Sequence, residues 1–180
     1  MKRVLVIGTT GSGKTTMARK VAEIIDGTAL DIDDFLWQPG WVQRPKEEML
    51  AMLVEPLSQE RWTLSGNNRK NRDFYWSRAD TVIWLNYSFW VVFSRLLMRT
   101  IKRVVMKEEV MPGCVETFHS QFLSKDSLLV WFFKTYWHRK KDYRKAINED
   151  KYQHLTVLEF RHPRQAKQFL ENLRETAETR

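Results

Sequence analysis

The feature that most constrains the fold is the stretch "GTTGSGKTT", residues 8–16, which directly follows the apolar run "RVLVI". Its glycines let a loop turn tightly, so that successive backbone N–H groups point inward and form a nest for an anion. The period of the next residues predicts a helix from about Lys14 to Ile25, whose N-terminus adds unpaired N–H groups and a positive dipole end. A strand, a glycine-rich loop and a helix in this order predict a phosphate-binding turn at a sheet edge.

The spacing of this stretch matches the nucleotide-binding pattern G-x-x-x-x-G-K-[ST] at every fixed position. In that pattern the side chain of Lys14 reaches the β- and γ-phosphates, and the Thr15 hydroxyl binds Mg²⁺. ATP and Mg²⁺ are therefore the predicted cofactors, although no base-reading motif separates ATP from GTP. The residues predicted to bind the nucleotide are Gly8, Thr9, Thr10, Gly11, Ser12, Gly13, Lys14, Thr15 and Thr16. A glycine-rich turn with an exposed lysine is the alternative interpretation.

Short apolar runs alternate with helix-period stretches along the chain, a pattern typical of a parallel sheet covered by crossover helices. The predicted strands lie at residues 3–7, 28–32, 61–65, 81–85 and 155–160. Because most of them are apolar throughout, we expect both faces of the sheet to be covered. A chain of 180 residues predicts one domain, residues 1–180, with a helical lid excursion at about 95–147. Within that excursion, residues 107–122 lack a clear period and predict a mobile flap.

Polar side chains follow two of the predicted strands. Asp31, Asp33 and Asp34 stand at the carboxyl end of the second strand, the edge at which open α/β sheets bind ligands. Carboxylates there suit a hard cation or a substrate hydroxyl awaiting deprotonation, so Asp31 is a predicted metal ligand and Asp33 a predicted base. After the third strand, Asn67 and Arg69 lie in "SGNNRK", a predicted substrate-facing loop. Helix capping by the aspartates and a plain solvated turn are the respective alternatives.

Arginines are concentrated on the two helices of the lid excursion. Arg95, Arg99 and Arg103 follow one another at a spacing of four, which places them on one stripe of a helix. Arg139 lies in the second basic segment, "KTYWHRKKDYRK". Phosphoryl transfer needs cations around the transferred group, so Arg99 and Arg103 are predicted catalytic residues and Arg139 a predicted substrate ligand. The alternative is that these charges form ordinary solvated faces.

Composition narrows the partners and the compartment. The formal net charge of +8 indicates anionic partners, which include nucleotide phosphates, nucleic acid and acidic membrane surfaces. Cys114 is the single cysteine, so no internal disulfide can form and a reducing compartment is expected. No apolar run approaches the length of a membrane span, and the N-terminus enters a strand without room for a signal peptide. A cytoplasmic location is the resulting expectation.

As a whole, the chain resembles the small P-loop kinases of the adenylate kinase and shikimate kinase type. More narrowly, it is similar to the bacterial DNA topology modulation, or FlaR-like, proteins that are related to adenylate kinases. The motifs that carry this resemblance are "GTTGSGKTT", "LDIDDFLWQPGW", "WTLSGNNRKNRDFYWSRADTVIWLNY", "RLLMRTIKR" and "HPRQAKQFL". The first motif is specific to a superfamily, whereas the others point to the narrower group only as a set.

The resemblance implies a three-layer α/β fold, with a five-stranded parallel sheet in the order 2-3-1-4-5, helices on both faces and a helical lid. It also implies that Asp31 and Asp33 serve the magnesium ion and the acceptor hydroxyl, and that the arginines of the lid close over the phosphates. Arg164, in "RHPRQA", would stack on the adenine. The sequence departs from the family pattern at two positions where the family has an acidic residue: Ser65 stands before Gly66, and Asn86 follows the fourth strand. Thr15 and the aspartates after the second strand are then the remaining candidate ligands for the metal.

Two classes of function are compatible with these residues. The first is a phosphotransferase that moves the γ-phosphoryl group of ATP to a small acceptor, with nucleotides and nucleosides among the candidates. The second is a nucleic-acid-associated protein in which ATP acts as a switch, although the sequence lacks a helix-turn-helix, zinc-finger or RNA-recognition signature. A nucleotide-binding relic without turnover is a third alternative, which the two departures favour.

Overall fold

The central element of this computed structural model, which describes residues 1–66, 68–106, 109–111, 114–115 and 127–179, is a five-stranded parallel sheet. Its strands are β1 (Arg3–Gly8), β2 (Thr28–Asp31), β3 (Trp62–Ser65), β4 (Thr81–Leu85) and β5 (Thr156–Phe160). They are arranged in the order β2-β3-β1-β4-β5, and all adjacent pairs run parallel. The predicted strands and the predicted order are confirmed.

Helices connect the strands and cover both faces of the sheet. They are α1 (Lys14–Ile25), α2 (Ile32–Leu36), α3 (Lys46–Ser58), α4 (Arg72–Trp76), α5 (Phe89–Met106), α6 (Leu128–Ile147) and α7 (Pro163–Glu178). Short 3₁₀ turns occupy Pro39–Trp41, Arg69–Asn71 and Asp150–Tyr152. Two small antiparallel pairs join Trp37–Gln38 to Val42–Gln43 and Glu109–Met111 to Cys114–Val115. The second pair belongs to the predicted flap, most of which lies outside the described residues.

The core has two halves, one on each side of the sheet, because successive side chains of a strand point to opposite faces. On β1, Leu5 and Ile7 pack into one cluster, which includes buried residues of α3 and α4. Val4 and Val6 pack into the other cluster, with α1, α5 and α7. The three central strands, β1, β3 and β4, are therefore buried over almost their whole length, as the apolar runs predicted, whereas the edge strands β2 and β5 stay partly exposed.

Helix α6 contributes to both halves of the core. Phe132 and Tyr136, in its first part, pack with the α5 side of the sheet, whereas Tyr143 and Ala146 pack with the α3 side. The Tyr143 hydroxyl donates a hydrogen bond to the Gly8 carbonyl oxygen at the end of β1 (3.2 Å). The helix thus passes over the carboxyl edge of the sheet and holds its basic residues beside the glycine-rich loop.

The contact between this loop and α5 leaves no space for a side chain at Gly11. Its φ is +82°, and an added Cβ would lie 2.9 Å from Leu96 Cβ and 3.1 Å from the Val92 carbonyl oxygen. We therefore expect Gly11→Ala to lower the free energy of unfolding by about 2 kcal/mol, through overpacking and backbone strain. Gly40→Ala is the matched control, because Gly40 has a similar φ of +76° but nothing within 4 Å. Equal urea midpoints for the two variants would contradict this packing.

Candidate active site

The glycine-rich loop, residues 8–13, folds compactly between β1 and α1. A Cβ on Gly8 would lie 2.6 Å from Ser12 Oγ and 2.9 Å from the Leu85 carbonyl oxygen, so a larger residue cannot close the loop in this way. Gly13 is the N-cap of α1 with φ 92°, and no side chain caps the helix there. The first N–H groups of α1 therefore remain for an anion, since the start of a helix leaves its initial amides without intrahelical partners.

Lys14 lies across this loop. Its Nζ donates a hydrogen bond to the Thr9 carbonyl oxygen (3.1 Å). Burial lowers the pKa of Lys14 to about 8, and the charges of Arg139 and Arg99 act in the same direction against those of Asp33 and Asp31. The ammonium group is thus poorly solvated and lies among both carboxylates and cations, and a bound polyphosphate would favour its charged form.

Oxygen donors meet where β2 and β3 end beside the first turn of α1. The Thr15 hydroxyl donates to Asp31 Oδ2 at 2.7 Å, and Ser65 Oγ lies 3.5 Å from Thr15 Oγ1. Asp31 and Ser65 are neighbours in the sheet register. Hydroxyl and carboxylate oxygens suit Mg²⁺, which binds through one or two carboxylates together with substrate phosphates. The donor set therefore fits the metal that the loop motif predicts.

The aspartates have three different environments. Asp31 caps α2 by accepting a hydrogen bond from the Asp33 backbone N–H (3.1 Å). Asp31 therefore has the helix-capping role that was the alternative interpretation, and it also contacts Thr15. Desolvation and the neighbouring Asp31 raise the pKa of Asp33, whereas Lys14 and Arg139 oppose the rise. Desolvation also raises the pKa of Asp34, but the opposing cation is Arg19 on α1. Of the two carboxylates that act on Lys14, Asp33 therefore has the stronger coupling.

Arginines of α5 and α6 lie around the loop. Arg95 Nη1 is 3.4 Å from the Ser12 carbonyl oxygen, and its guanidinium lies 5.3 Å from the centre of the Tyr87 ring. Arg99 acts on the pKa of Lys14, and Arg139 acts on the pKa values of both Lys14 and Asp33. Arg103 lies about one turn beyond Arg99, near the end of α5. Both helices thus bring positive charge to one edge of the sheet.

The solved structures that share this fold include small-molecule kinases. The shikimate kinase of Bacteroides thetaiotaomicron is 17% identical over 98% of each chain, with a TM-score of 0.55. The shikimate kinase of Aquifex aeolicus is 17% identical over 97% of this chain and 98% of its own, with a TM-score of 0.54. The gluconokinase of Sinorhizobium meliloti is 20% identical over 97% and 94% of the two chains, with a TM-score of 0.51. The fold is that of the P-loop kinases.

The comparisons reach no further than the fold. No family model matches the sequence, and no curated protein matches it either. The predicted fold class is confirmed, while the acceptor and the catalytic activity are not decided by structures of such low sequence identity. Among the described helices, none has the length and apolarity needed to cross a membrane.

The other predicted site residues that the structure describes are exposed. Asn67 lies outside the described residues. Arg69 is mostly exposed, with its Nε 3.3 Å from Asp142 Oδ1 on α6. Thr16 is exposed in the first turn of α1, and Arg164 is exposed in the first turn of α7. The site therefore has a close-packed centre around Lys14 and Thr15 and a more open rim.

Several side chains at the site were not predicted as site residues. Ser65, which the family pattern marked as a departure, lies beside Thr15, and Arg95 contacts the loop itself. Asp142 on α6 pairs with Arg69 and with the buried Arg72, so it ties α6 to the segment after β3. The four-residue spacing from Arg95 to Arg99 was the one sequence signal that could have included Arg95. Asp142 carried no such signal, because its partners are about 70 residues away in the chain.

Proposed function

We propose that this chain is a Mg²⁺- and ATP-dependent phosphotransferase, which transfers the γ-phosphoryl group to a small acceptor. Nucleotides and nucleosides are among the candidate acceptors. The observation that carries the proposal is the meeting of Lys14, the Thr15–Asp31 pair and Asp33 at one sheet edge. A nest of N–H groups for phosphates, oxygen donors for a metal and a carboxylate with a raised pKa are the parts that phosphoryl transfer requires.

In this proposal each group has a defined task. Asp33 accepts the proton of the acceptor hydroxyl, while the acceptor oxygen forms a bond to the γ-phosphorus. The bond from that phosphorus to the β–γ bridging oxygen breaks, and ADP leaves with the electron pair. Lys14, Arg99, Arg103 and Arg139 neutralise the charge on the phosphoryl oxygens. A magnesium ion held by Thr15 and Asp31 would supply further neutralisation of the phosphates.

The acceptor would lie between α2 and the loop after β3. In the proposal, Asp31, Asp33 and Asp34, at the end of β2 and the start of α2, supply one side of this region, and Arg69, after β3, supplies the other; Asn67, which lies outside the described residues, is part of the proposal from the sequence alone. Asp142 lies on α6, the second helix of the proposed lid, and pairs with Arg69 and Arg72 after β3. Closing of the lid would therefore also move the loop that contacts the acceptor. Arg69 and Arg139 suit an acceptor that carries an anionic group.

The finer parts of the proposal rest on the sequence. They are a single domain over residues 1–180 with a lid at about 95–147, the contact of Arg164 with the base, and a cytoplasmic location. The FlaR-like resemblance belongs to this proposal as well, since it depends on the motifs alone. The kinase fold of the structural neighbours supports ATP as the donor.

An acceptor panel tests the proposed reaction. We would first search for ligands that raise the melting temperature together with a non-hydrolysable ATP analogue, using nucleosides, nucleotides, sugar acids and polyols, since specific ligands stabilise the folded state by mass action. ADP formation would then be measured with each acceptor that gives a shift. We expect at least one acceptor to raise the rate well above background hydrolysis. Binding of ATP with background hydrolysis for every acceptor would contradict the proposal.

The lowered pKa of Lys14 predicts how ATP binding depends on pH. Phosphate favours the charged ammonium, so the pKa of Lys14 rises in the complex from its free value of about 8. Above that pH the free protein must take up a proton to bind, and the association constant should fall by up to about tenfold per pH unit. Titration calorimetry from pH 7 to 9.5 measures this slope. Lys14→Arg, which stays charged, should give a flat profile, and a flat wild-type profile would contradict the assignment.

A further inference from the structure

A cavity lies beside α6, on a face other than the one that contacts the glycine-rich loop. It has a volume of about 600 Å³ and lies between the end of β4, the start of α5 and one face of α6. None of residues 8–16 and none of the three aspartates of the candidate active site lines it. The volume falls within the range of about 300–1,000 Å³ that is typical of small-molecule sites.

The cavity faces a different side of α6 from the active site. Arg139 and Tyr143, at i and i+4, are coupled to Lys14 and to Gly8 respectively. Lys140 directly follows Arg139, and Arg144 directly follows Tyr143. One residue corresponds to a turn of about 100° around a helix, so Lys140 and Arg144 point to a different side, where both line the cavity. One helix therefore separates two sites with different linings.

One wall of the cavity is aromatic. Phe89 and Trp137 stack with their ring centres 5.0 Å apart and an angle of 25° between the rings. Phe89 covers part of the indole, yet 55% of Trp137 remains exposed to solvent. Tyr136 completes this wall and packs against both rings. Such an exposed, supported indole is a stacking surface for a flat ring.

Four cations of α6 also line the cavity, Lys140, Lys141, Arg144 and Lys145. Glu159, whose charge acts on Lys140, already accepts hydrogen bonds from Arg144 and Arg161. Burial lowers the pKa of Lys140, as do the charges of Arg144 and Arg161, against the opposing effect of Glu159. Within the described part of the chain, Lys141 and Lys145 form no ion pair. The cavity therefore has an excess of positive charge that an anion would balance.

Asn86 adds a polar group to the same cavity. It is 8% exposed, and its Nδ2 donates a hydrogen bond to Glu159, which fixes the orientation of the amide. Its Oδ1 is buried and receives no hydrogen bond from any of the residues that the structure describes. Buried polar atoms normally have a partner, so this acceptor is a further indication of a missing donor.

We propose that this cavity is a second ligand site, which binds a nucleotide unit with its base stacked on Trp137 and its phosphate on Lys141 and Lys145. The combination of an aromatic platform with a cluster of cations is the recognition chemistry of a flat, anionic ligand. The unit is either a free mononucleotide or one nucleotide of a single strand. The proposal is independent of phosphoryl transfer at the P-loop.

Binding of UMP and of a ten-nucleotide oligothymidylate tests the proposal. Both probes would be titrated by calorimetry into the Lys14→Ala protein at two salt concentrations. The Lys14→Ala background reduces the contribution of the P-loop to the measured binding. In that background we expect Trp137→Ala, and separately Lys141→Ala with Lys145→Ala, to weaken binding at least about fivefold. Because both lysines are exposed, the double variant tests the site even if Trp137→Ala fails to fold.

The control variants carry the same types of substitution, Trp to Ala and two Lys to Ala, at residues that do not line the cavity. Trp90→Ala removes another exposed indole that contacts Phe89, and Lys134→Ala with Lys167→Ala removes two exposed charges. Both controls should leave the affinities unchanged. Loss of UMP binding in the cavity variants identifies a mononucleotide site, and loss confined to the oligonucleotide identifies a strand site. Absence of binding for both probes, or equal effects of cavity and control variants, would overturn the proposal.

Discussion

Lys14→Ala is expected to lower the rate constant of ADP formation at least about hundredfold, because it removes a positioned cation from the transferred phosphoryl group. In the free protein this ammonium group lies over the loop, 3.1 Å from the Thr9 carbonyl oxygen. The same change should also abolish most of the melting-temperature shift that ATP and magnesium produce, since a weaker ligand stabilises less. A coupled assay and a thermal melt measure the two effects.

Lys20→Ala is the matched control for this variant. Lys20 is an exposed lysine of the same helix, so the control removes an equal charge without disturbing the loop. Its rate constant and its melting shift should stay at the wild-type values. Equal losses in Lys14→Ala and Lys20→Ala would mean that general electrostatics, and not the position of Lys14, accounts for nucleotide binding.

Asp33→Asn is expected to lower kcat by about 10²–10⁴, the range that a positioned general base contributes. The amide is nearly isosteric with the carboxylate but cannot take the acceptor proton, so binding of ATP should change much less than kcat. Because the pKa of Asp33 is raised, the wild-type rate should increase with pH through a midpoint above that of an ordinary aspartate. This limb of the pH profile should be absent from Asp33→Asn.

Asp34→Asn provides the comparison, since it removes the same charge one residue away. The cation that acts on Asp34 is Arg19, whereas Lys14 and Arg139 act on Asp33. We therefore expect a smaller loss of kcat in Asp34→Asn and an unchanged pH limb. A larger effect at Asp34 than at Asp33 would move the base to Asp34 and contradict the role assigned here.

The strands and long helices could be predicted because their signals are local. A buried strand such as β4 is a continuous apolar run, and α1 was predicted with the bounds that it has, Lys14–Ile25. The predicted strand over 28–32 was one residue too long, since Asp31 caps α2 and the chain turns into a helix at Ile32. The left-handed residue after α1 is Asp26 and not the neighbouring Gly27, which a helix end would favour.

The candidate site was predictable only where its residues follow a motif. The loop, Thr15 and Asp31 meet in the fold because all strands of a parallel sheet end at the same edge, although β3 lies between β1 and β2. Ser65, Asp142 and Tyr143 reach the site through the packing of β3 and α6, and their separations of 50 to 135 residues from their partners carry no periodic signal. The cavity beside α6 is likewise a product of packing, although the basic residues of that segment were visible in the sequence.

The most direct test of the account is a calorimetric titration of the wild-type protein with a non-hydrolysable ATP analogue, with and without magnesium. The account predicts a saturable heat that strengthens with the metal, because the amides of the loop, Lys14 and the Thr15–Asp31 pair bind one metal–triphosphate unit. If no heat appears under either condition, the loop after β1 does not bind a polyphosphate, and the account is wrong at its first step.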